Sequence, residues 1–268
     1  MLSLSNFREK FLEKNDADLL IEYAIKKQRS IIYTNPNYIL SLEEEKKLNA
    51  LFLEYQTGKP VAYLIGTQAF WTMDLWVTPD VLIPRFDTEC LVRYVIENIN
   101  MQYLTLADLG TGSGAIAIAL ALENPGWIIH ATDFSHAALR IAQKNAVKYK
   151  LRNIKFYHGN WSAALPQKNH YDLIISNPPY IAQNDSHLLQ LAFEPQSALI
   201  SGKDGLEDIK KIIMQSKQYL KNNGVLILEH GFDQAEAVLK CMIQENFQAV
   251  QSYCDLNHHP RFCVGVKK

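Results

Sequence analysis

The chain has 268 residues, 48% of them hydrophobic and 21% charged, the proportions of a soluble globular protein with a sizeable core. Lysine plus arginine number 27 and aspartate plus glutamate 28, and the resulting net charge of −1 argues against a protein that wraps duplex nucleic acid. No apolar run approaches the length of a membrane span, and an opening stretch carrying Glu9, Glu13, Asp16 and Asp18 does not fit a signal or transit peptide, so a cytoplasmic protein is expected.

Residues 1 to about 57 read as helical. "FREKFLEKN", "ADLLIEYAIKKQRS" and "SLEEEKKLNALFLEYQTG" space their apolar residues by three and four. Ser41 followed by Glu44 predicts a capping box, and Gly58 with Pro60 stops the last helix. This region is either a helical bundle packed on itself or a substrate-recognition domain, and its pattern favours neither. Residues 61–84 are rich in aromatic and β-branched side chains, with turn chemistry at Thr78, Pro79 and Asp80, and predict a β-hairpin or extended linker. From residue 88 onward, strands and helices alternate, which predicts βαβ units and a mainly parallel sheet. The last two strands, "FQAVQSYC" and "RFCVGVK", have no helix between them, so they must pair as a hairpin and one must run antiparallel. The expected division is 1–68 helical domain, 69–87 hairpin linker and 88–268 α/β domain.

The cysteines Cys90, Cys241, Cys254 and Cys263 form no CxxC pair and read as reduced thiols. "CDLNHHPRFC" brings His258 and His259 between two of them, but structural zinc sites show tighter cysteine pairs. A hairpin loop with exposed histidines and Cys263 packed on a strand is expected, with no metal.

The first candidate site is "DLGTGSGA". Strand, glycine-rich turn and helix bring a ligand against bare backbone, and Gly110, Gly112 and Gly114 permit positive φ and close approach. Asp133 ends the next strand, where a carboxylate can accept both protons of a ribose diol. The pair points to an adenosine-containing cofactor without saying which; NAD satisfies it too. The second candidate site is "SNPPY". Asn177 follows a buried strand at the carboxyl edge of the sheet, where such sheets bind ligands. Pro178 and Pro179 have no N–H, so the loop is stiff and offers carbonyl oxygens; Asn177 adds another acceptor and Tyr180 a flat wall. A planar group that donates two hydrogen bonds, an amino or carboxamide NH2, suits this place and would itself be the nucleophile.

With "DLGTGSG", Asp133 and "SNPPY" in this order, the chain resembles class I methyltransferases that use S-adenosylmethionine and act on nitrogen. "GKPVAYLIGTQAFW", "VLIPRFDTE", "FEPQSALISGKDGL" and "LEHGFDQAEAV" make it similar, nearly end to end, to the bacterial peptide chain release factor glutamine N5-methyltransferases. The resemblance implies a Rossmann-like methyltransferase sheet, release factors as protein substrate and a helical domain that recognises them. It also implies that Gly110, Thr111, Gly112, Ser113 and Gly114 bind the methionine end of the cofactor, with Asp133 on the ribose, Trp161 beside the adenine, and Asn177, Pro178, Pro179 and Tyr180 holding the target glutamine, Asn177 touching the cofactor as well. The chain departs from the family pattern at Phe86, usually proline, and at Asn160, often aspartate. The rival readings are an amino-methyltransferase acting on adenine or guanine in nucleic acid, an NAD-dependent oxidoreductase and a silent binder of the same fold. Near-neutral charge and the lack of a basic target-recognition region count against the first, and no membrane or sequence-specific nucleic acid is expected as a partner.

Overall fold

The computed structural model describes residues 2–268. The chain divides after Thr67 into two compact units. The first holds helices α1 (Leu4–Arg8), α2 (Lys14–Ile25), α3 (Ile31–Thr34), α4 (Leu42–Gln56) and α5 (Val61–Ile65). Leu4, Phe7, Leu20, Ile21, Ile25 and Leu48 close its core. The capping box at Ser41 and Glu44 forms as the spacing predicts. The buried carboxylate of Asp18 is met by Arg8, Arg29 and Tyr33, so its charge is compensated inside the unit. The expectation of extended structure from residue 61 needs correction: Val61–Ile65 is helical. Pro60 stands at its N-cap and Gly66, at φ 78°, ends it in the left-handed region, so the caps override the β-propensity of valine, tyrosine and isoleucine.

A hairpin, β1 (Thr67–Phe70) and β2 (Met73–Trp76), starts at the last residue of the first unit and lies otherwise in the second. It is no free linker. Phe70, Met73 and Leu75 enter the core of the second unit. Buried Asn145 accepts from the Trp76 N–H at 2.7 Å and donates to the carbonyls of Trp76 and Ser113. Then follow α6 (Glu89–Asn98), β3 (Thr105–Leu109), α7 (Ala115–Glu123), β4 (Ile128–Asp133), α8 (His136–Lys148), β5 (Ile154–His158) and β6 (Tyr171–Ser176). The chain ends with α9 (Glu207–Tyr219), β7 (Leu220–Glu229), α10 (Ala235–Gln244), β8 (Phe247–Cys254) and β9 (Pro260–Lys267).

The strands from β3 onward form one sheet in the order β5-β4-β3-β6-β7-β9-β8. Only β9 runs against the others; it inserts between β7 and β8 and pairs antiparallel with both. Side chains alternate between the two faces. Leu106, Ile129, Leu173, Ile175 and Ile227 meet α6 and α7 on one side. Ala107, Leu109, Ile174, Leu226 and Leu228 meet α9 and α10 on the other. Helix α7 is buried from Ala115 through Ala121, which is why its sequence is apolar all round.

The strand order reverses at β3: the chain steps outward to β4 and β5, then crosses to β6 on the other side, all four strands staying parallel. Ligands bind such sheets at this crevice, beyond the carboxyl ends of the strands. Leu109 pairs with Thr132 and with Ser176, so Gly110, Asp133 and Asn177 leave three adjacent strands side by side.

Candidate active site

Two cavities open at the carboxyl edge. The larger, of about 300 Å³, is lined by Gly110, Gly112, Asp133, Trp161, Asn177 and Pro179, with Asp80, Asn160 and Ser197 among the other walls. The smaller, of about 70 Å³, is lined by Asn177, Pro178 and Tyr180 together with Leu82 and Arg85. Asn177 belongs to both. The structure therefore brings the glycine loop, Asp133, Trp161 and the NPPY loop to one place.

The glycine loop contributes less of its length than expected. Gly110 and Gly112 reach the cavity; Thr111, Ser113 and Gly114 do not line it. Thr111 turns inward and its hydroxyl donates to Asp108. The Ser113 carbonyl accepts from Asn145. Gly114, at φ 86°, is packed so closely that a Cβ would lie 2.8 Å from Ile118 Cδ1 of α7 and 3.3 Å from Ala142 Cβ of α8, so it serves the contact between these helices. Gly110 combines φ 72° with an approach that would put a Cβ 2.8 Å from Trp161 Cζ3; the indole ring occupies the space a side chain would need. Trp161 is held by its ring N–H, which donates to Asp208 at 3.1 Å.

Asp133 accepts from the Gly112 N–H at 2.9 Å and the Ser135 N–H at 2.8 Å, so its carboxylate also fixes the glycine loop. Burial raises its pKa, and those two N–H groups work against the rise. The larger cavity has Asp80 and Asp133 among its lining residues and no lysine, arginine or histidine.

Asn177 donates from Nδ2 to the Thr88 hydroxyl oxygen at 3.1 Å. Among the described residues its carbonyl oxygen has no hydrogen-bond partner and stays free for another donor. The Tyr180 hydroxyl donates to the buried Glu229 at 3.5 Å, and the Tyr180 carbonyl accepts from Gln234 at 2.9 Å. A Cβ on Gly205 would meet that same carbonyl at 2.3 Å, so the segment after Gly202 must pass there bare. Beyond Tyr180 the loop is zipped to the stretch 199–202: Ile181 donates to the Leu199 carbonyl, Ser201 back to Ile181, and Gln183 to Gly202. Glu194 is 5% exposed and binds both the Ile83 N–H and the Arg85 guanidinium, clasping the stretch before α6 to the stretch after the NPPY loop. Phe86 is exposed to solvent, while its neighbours Arg85, Asp87 and Thr88 pair with Glu194, Arg261 and Asn177.

Thr88, Glu194, Glu229 and Gln234 are functional neighbours that sequence reasoning did not single out. For Glu229 a signal was present: a lone acid closes the otherwise apolar run of a buried strand, where charged side chains are rare unless they are paired. The cluster at 254–263 folds as a hairpin loop. His258 and His259 are exposed, and Cys263 is buried on β9 with Sγ 3.3 Å from His230. Among the described residues, no three histidine, cysteine or acidic side chains are grouped to hold a metal ion.

Sheet order, the single reversed strand and a glycine loop facing an NPPY loop define a class I methyltransferase. A methyltransferase from Pyrococcus furiosus shares this fold, with a TM-score of 0.55 and 16% identity over 82% of this chain and 97% of that one. The family model "Methyltransferase small domain" matches residues 86–197, and "PrmC N-terminal domain" matches residues 5–66. The release factor glutamine methyltransferase of Coxiella burnetii is 47% identical over 93% of this chain and 90% of its own length. The protein of that name from Escherichia coli is 39% identical, over 94% of this chain and 91% of its own length. The chain belongs to the release factor glutamine methyltransferase family.

Proposed function

We propose that this protein transfers a methyl group from S-adenosylmethionine to the side-chain amide nitrogen of a glutamine in peptide chain release factors, the glutamine of their GGQ motif as the family resemblance implies. The observation that carries this is the Asn177 side chain, whose NH2 is engaged by Thr88 and whose carbonyl oxygen is left for a donor where the two cavities meet. The setting is cytoplasmic, where release factors act.

The larger cavity suits the cofactor. Bare backbone at Gly110 and Gly112, the Asp133 carboxylate and the Trp161 ring match a methionine end, a ribose diol and a flat base in turn. Asp80 and Asp133 in the lining favour a ligand that carries positive charge. S-adenosylmethionine supplies an activated methyl group on a cationic sulfur, so no metal is needed for the transfer. Asp133→Ala is expected to weaken S-adenosylmethionine binding by roughly 1.5–3 kcal/mol, the worth of hydrogen bonds to a charged group, with no binding of NAD by either form. Calorimetry reads both; micromolar NAD binding would favour an oxidoreductase instead.

A carboxamide nitrogen is a poor nucleophile because its lone pair is delocalised. Asn177 Oδ1 and the Pro178 carbonyl would accept its two N–H bonds and hold it in line with the methyl group. Positive charge grows on that nitrogen as the new bond forms, so fixed carbonyl dipoles stabilise the transition state more than the ground state. The surplus proton can then leave to water. Incubation with methyl-labelled S-adenosylmethionine and either a release factor or DNA tests the function. Label on the glutamine is expected; label on DNA alone would move the protein to the nucleic-acid amino-methyltransferases.

The acceptor site reads only a flat NH2 group, so selection among glutamines must come from contacts elsewhere on the substrate. We assign that selection to the helical unit. A chain starting near Thr67 is expected to bind S-adenosylmethionine but to lose about tenfold more activity on an intact release factor than on a short glutamine peptide. Equal losses on both substrates in a folded fragment would mean that the helices shape the active site instead.

A further inference from the structure

We infer that Thr88 is a positioning residue for methyl transfer and that it sets which end of the Asn177 side chain faces the substrate; this rests on the function proposed above. An asparagine side chain is nearly symmetric in shape, and a half-turn about its last bond exchanges C=O for NH2. One orientation offers an acceptor to the substrate NH2. The other sets donor against donor and leaves both unpaired. Nothing in the NPPY sequence itself chooses between them.

Thr88 chooses. It is 3% exposed and occupies the N-cap of α6, where a threonine hydroxyl ordinarily binds its own helix, yet it makes no such capping bond. Its oxygen instead accepts from Asn177 Nδ2 at 3.1 Å. With the Asn177 NH2 taken up by this buried oxygen, the Asn177 carbonyl is the end left for the substrate. The acceptor face of Asn177 is the consequence of that one contact.

The test uses the full-length protein at pH 8, methyl-labelled S-adenosylmethionine and a glutamine peptide from a release factor. Thr88→Val keeps the shape and removes the acceptor; Thr88→Ser keeps the hydroxyl. Thr88→Val is expected to lower kcat roughly 10- to 100-fold with the cofactor Kd within about threefold of wild type, and Thr88→Ser to recover most of that loss. A peptide with glutamate in place of the glutamine should inhibit Thr88→Val better, relative to the glutamine peptide, than it inhibits wild type, because a freed Asn177 can turn its NH2 toward a carboxylate. Full kcat in Thr88→Val, equal loss in both variants, or an unchanged preference between the two peptides would each overturn the positioning role. A wild-type protein that leaves the glutamine unmethylated would overturn the proposed function and this inference with it.

Discussion

Asn177→Ala is expected to lower methyl transfer by about two to three orders of magnitude, the usual loss when one oriented polar group is removed from a transition-state site. Cofactor affinity should stay within a few-fold, because Asn177 is one wall among many in the larger cavity. The loss should fall on kcat: the acceptor matters most when the amide nitrogen turns positive. Asn177→Asp sharpens the test by keeping an acceptor and adding a charge. Single-turnover rates with labelled cofactor, beside calorimetry for binding, separate the two effects. A normal rate in Asn177→Ala would remove the acceptor mechanism.

Asp108 should make the cofactor-free protein less stable as pH rises. It lies in β3 below the glycine loop, 1% exposed; its Oδ2 accepts from Thr111, and its Oδ1 has no partner. Burial lifts its pKa from an ordinary 3.8 to about 7, against the pull of the Thr111 hydroxyl. An unfolded chain releases this proton near 3.8, and the folded chain keeps it until about 7. Between those values the folded protein binds more protons than the unfolded one, so stability falls as pH climbs through the window and stays lower above it. Asp108 alone should cost roughly 2–3 kcal/mol between pH 5 and pH 8. Urea unfolding of wild type and Asp108→Asn at both values measures it. The variant has no charge to bury there, so it should lose less stability over the interval; buried Glu229 acts in the same direction and remains in both proteins. Parallel profiles would show that Asp108 ionises in the native state as readily as in the unfolded one.

Much of this molecule was legible because its signals are local. Continuous apolar runs with helices between them forced a parallel sheet, and the missing helix between residues 254 and 260 forced the reversed strand. Glycines and prolines at strand ends marked both loops of the site. Three things were hidden. Val61–Ile65 is helical because of its caps, and propensity alone pointed the other way. Thr111, Ser113 and Gly114 share a motif with Gly110 and Gly112 but face inward, a fact about packing against Asp108, Asn145 and Ile118 that no single stretch contains. The supports of the acceptor loop, Thr88, Glu194, Glu229 and Gln234, meet it only in space.

Those supports also differ in how much chain each one closes. The Gly112–Asp133 bond joins residues 21 apart in the chain. The Gln234–Tyr180 bond spans 54 residues, Asn177–Thr88 spans 89, and Arg85–Glu194 spans 109. Closing a longer loop costs more chain entropy, and distant pairings form slowly. A chain cut short before Gln234 would keep both partners of the Gly112–Asp133 bond but lose the donor that holds the Tyr180 carbonyl, so the acceptor loop depends on more of the chain than the glycine loop does.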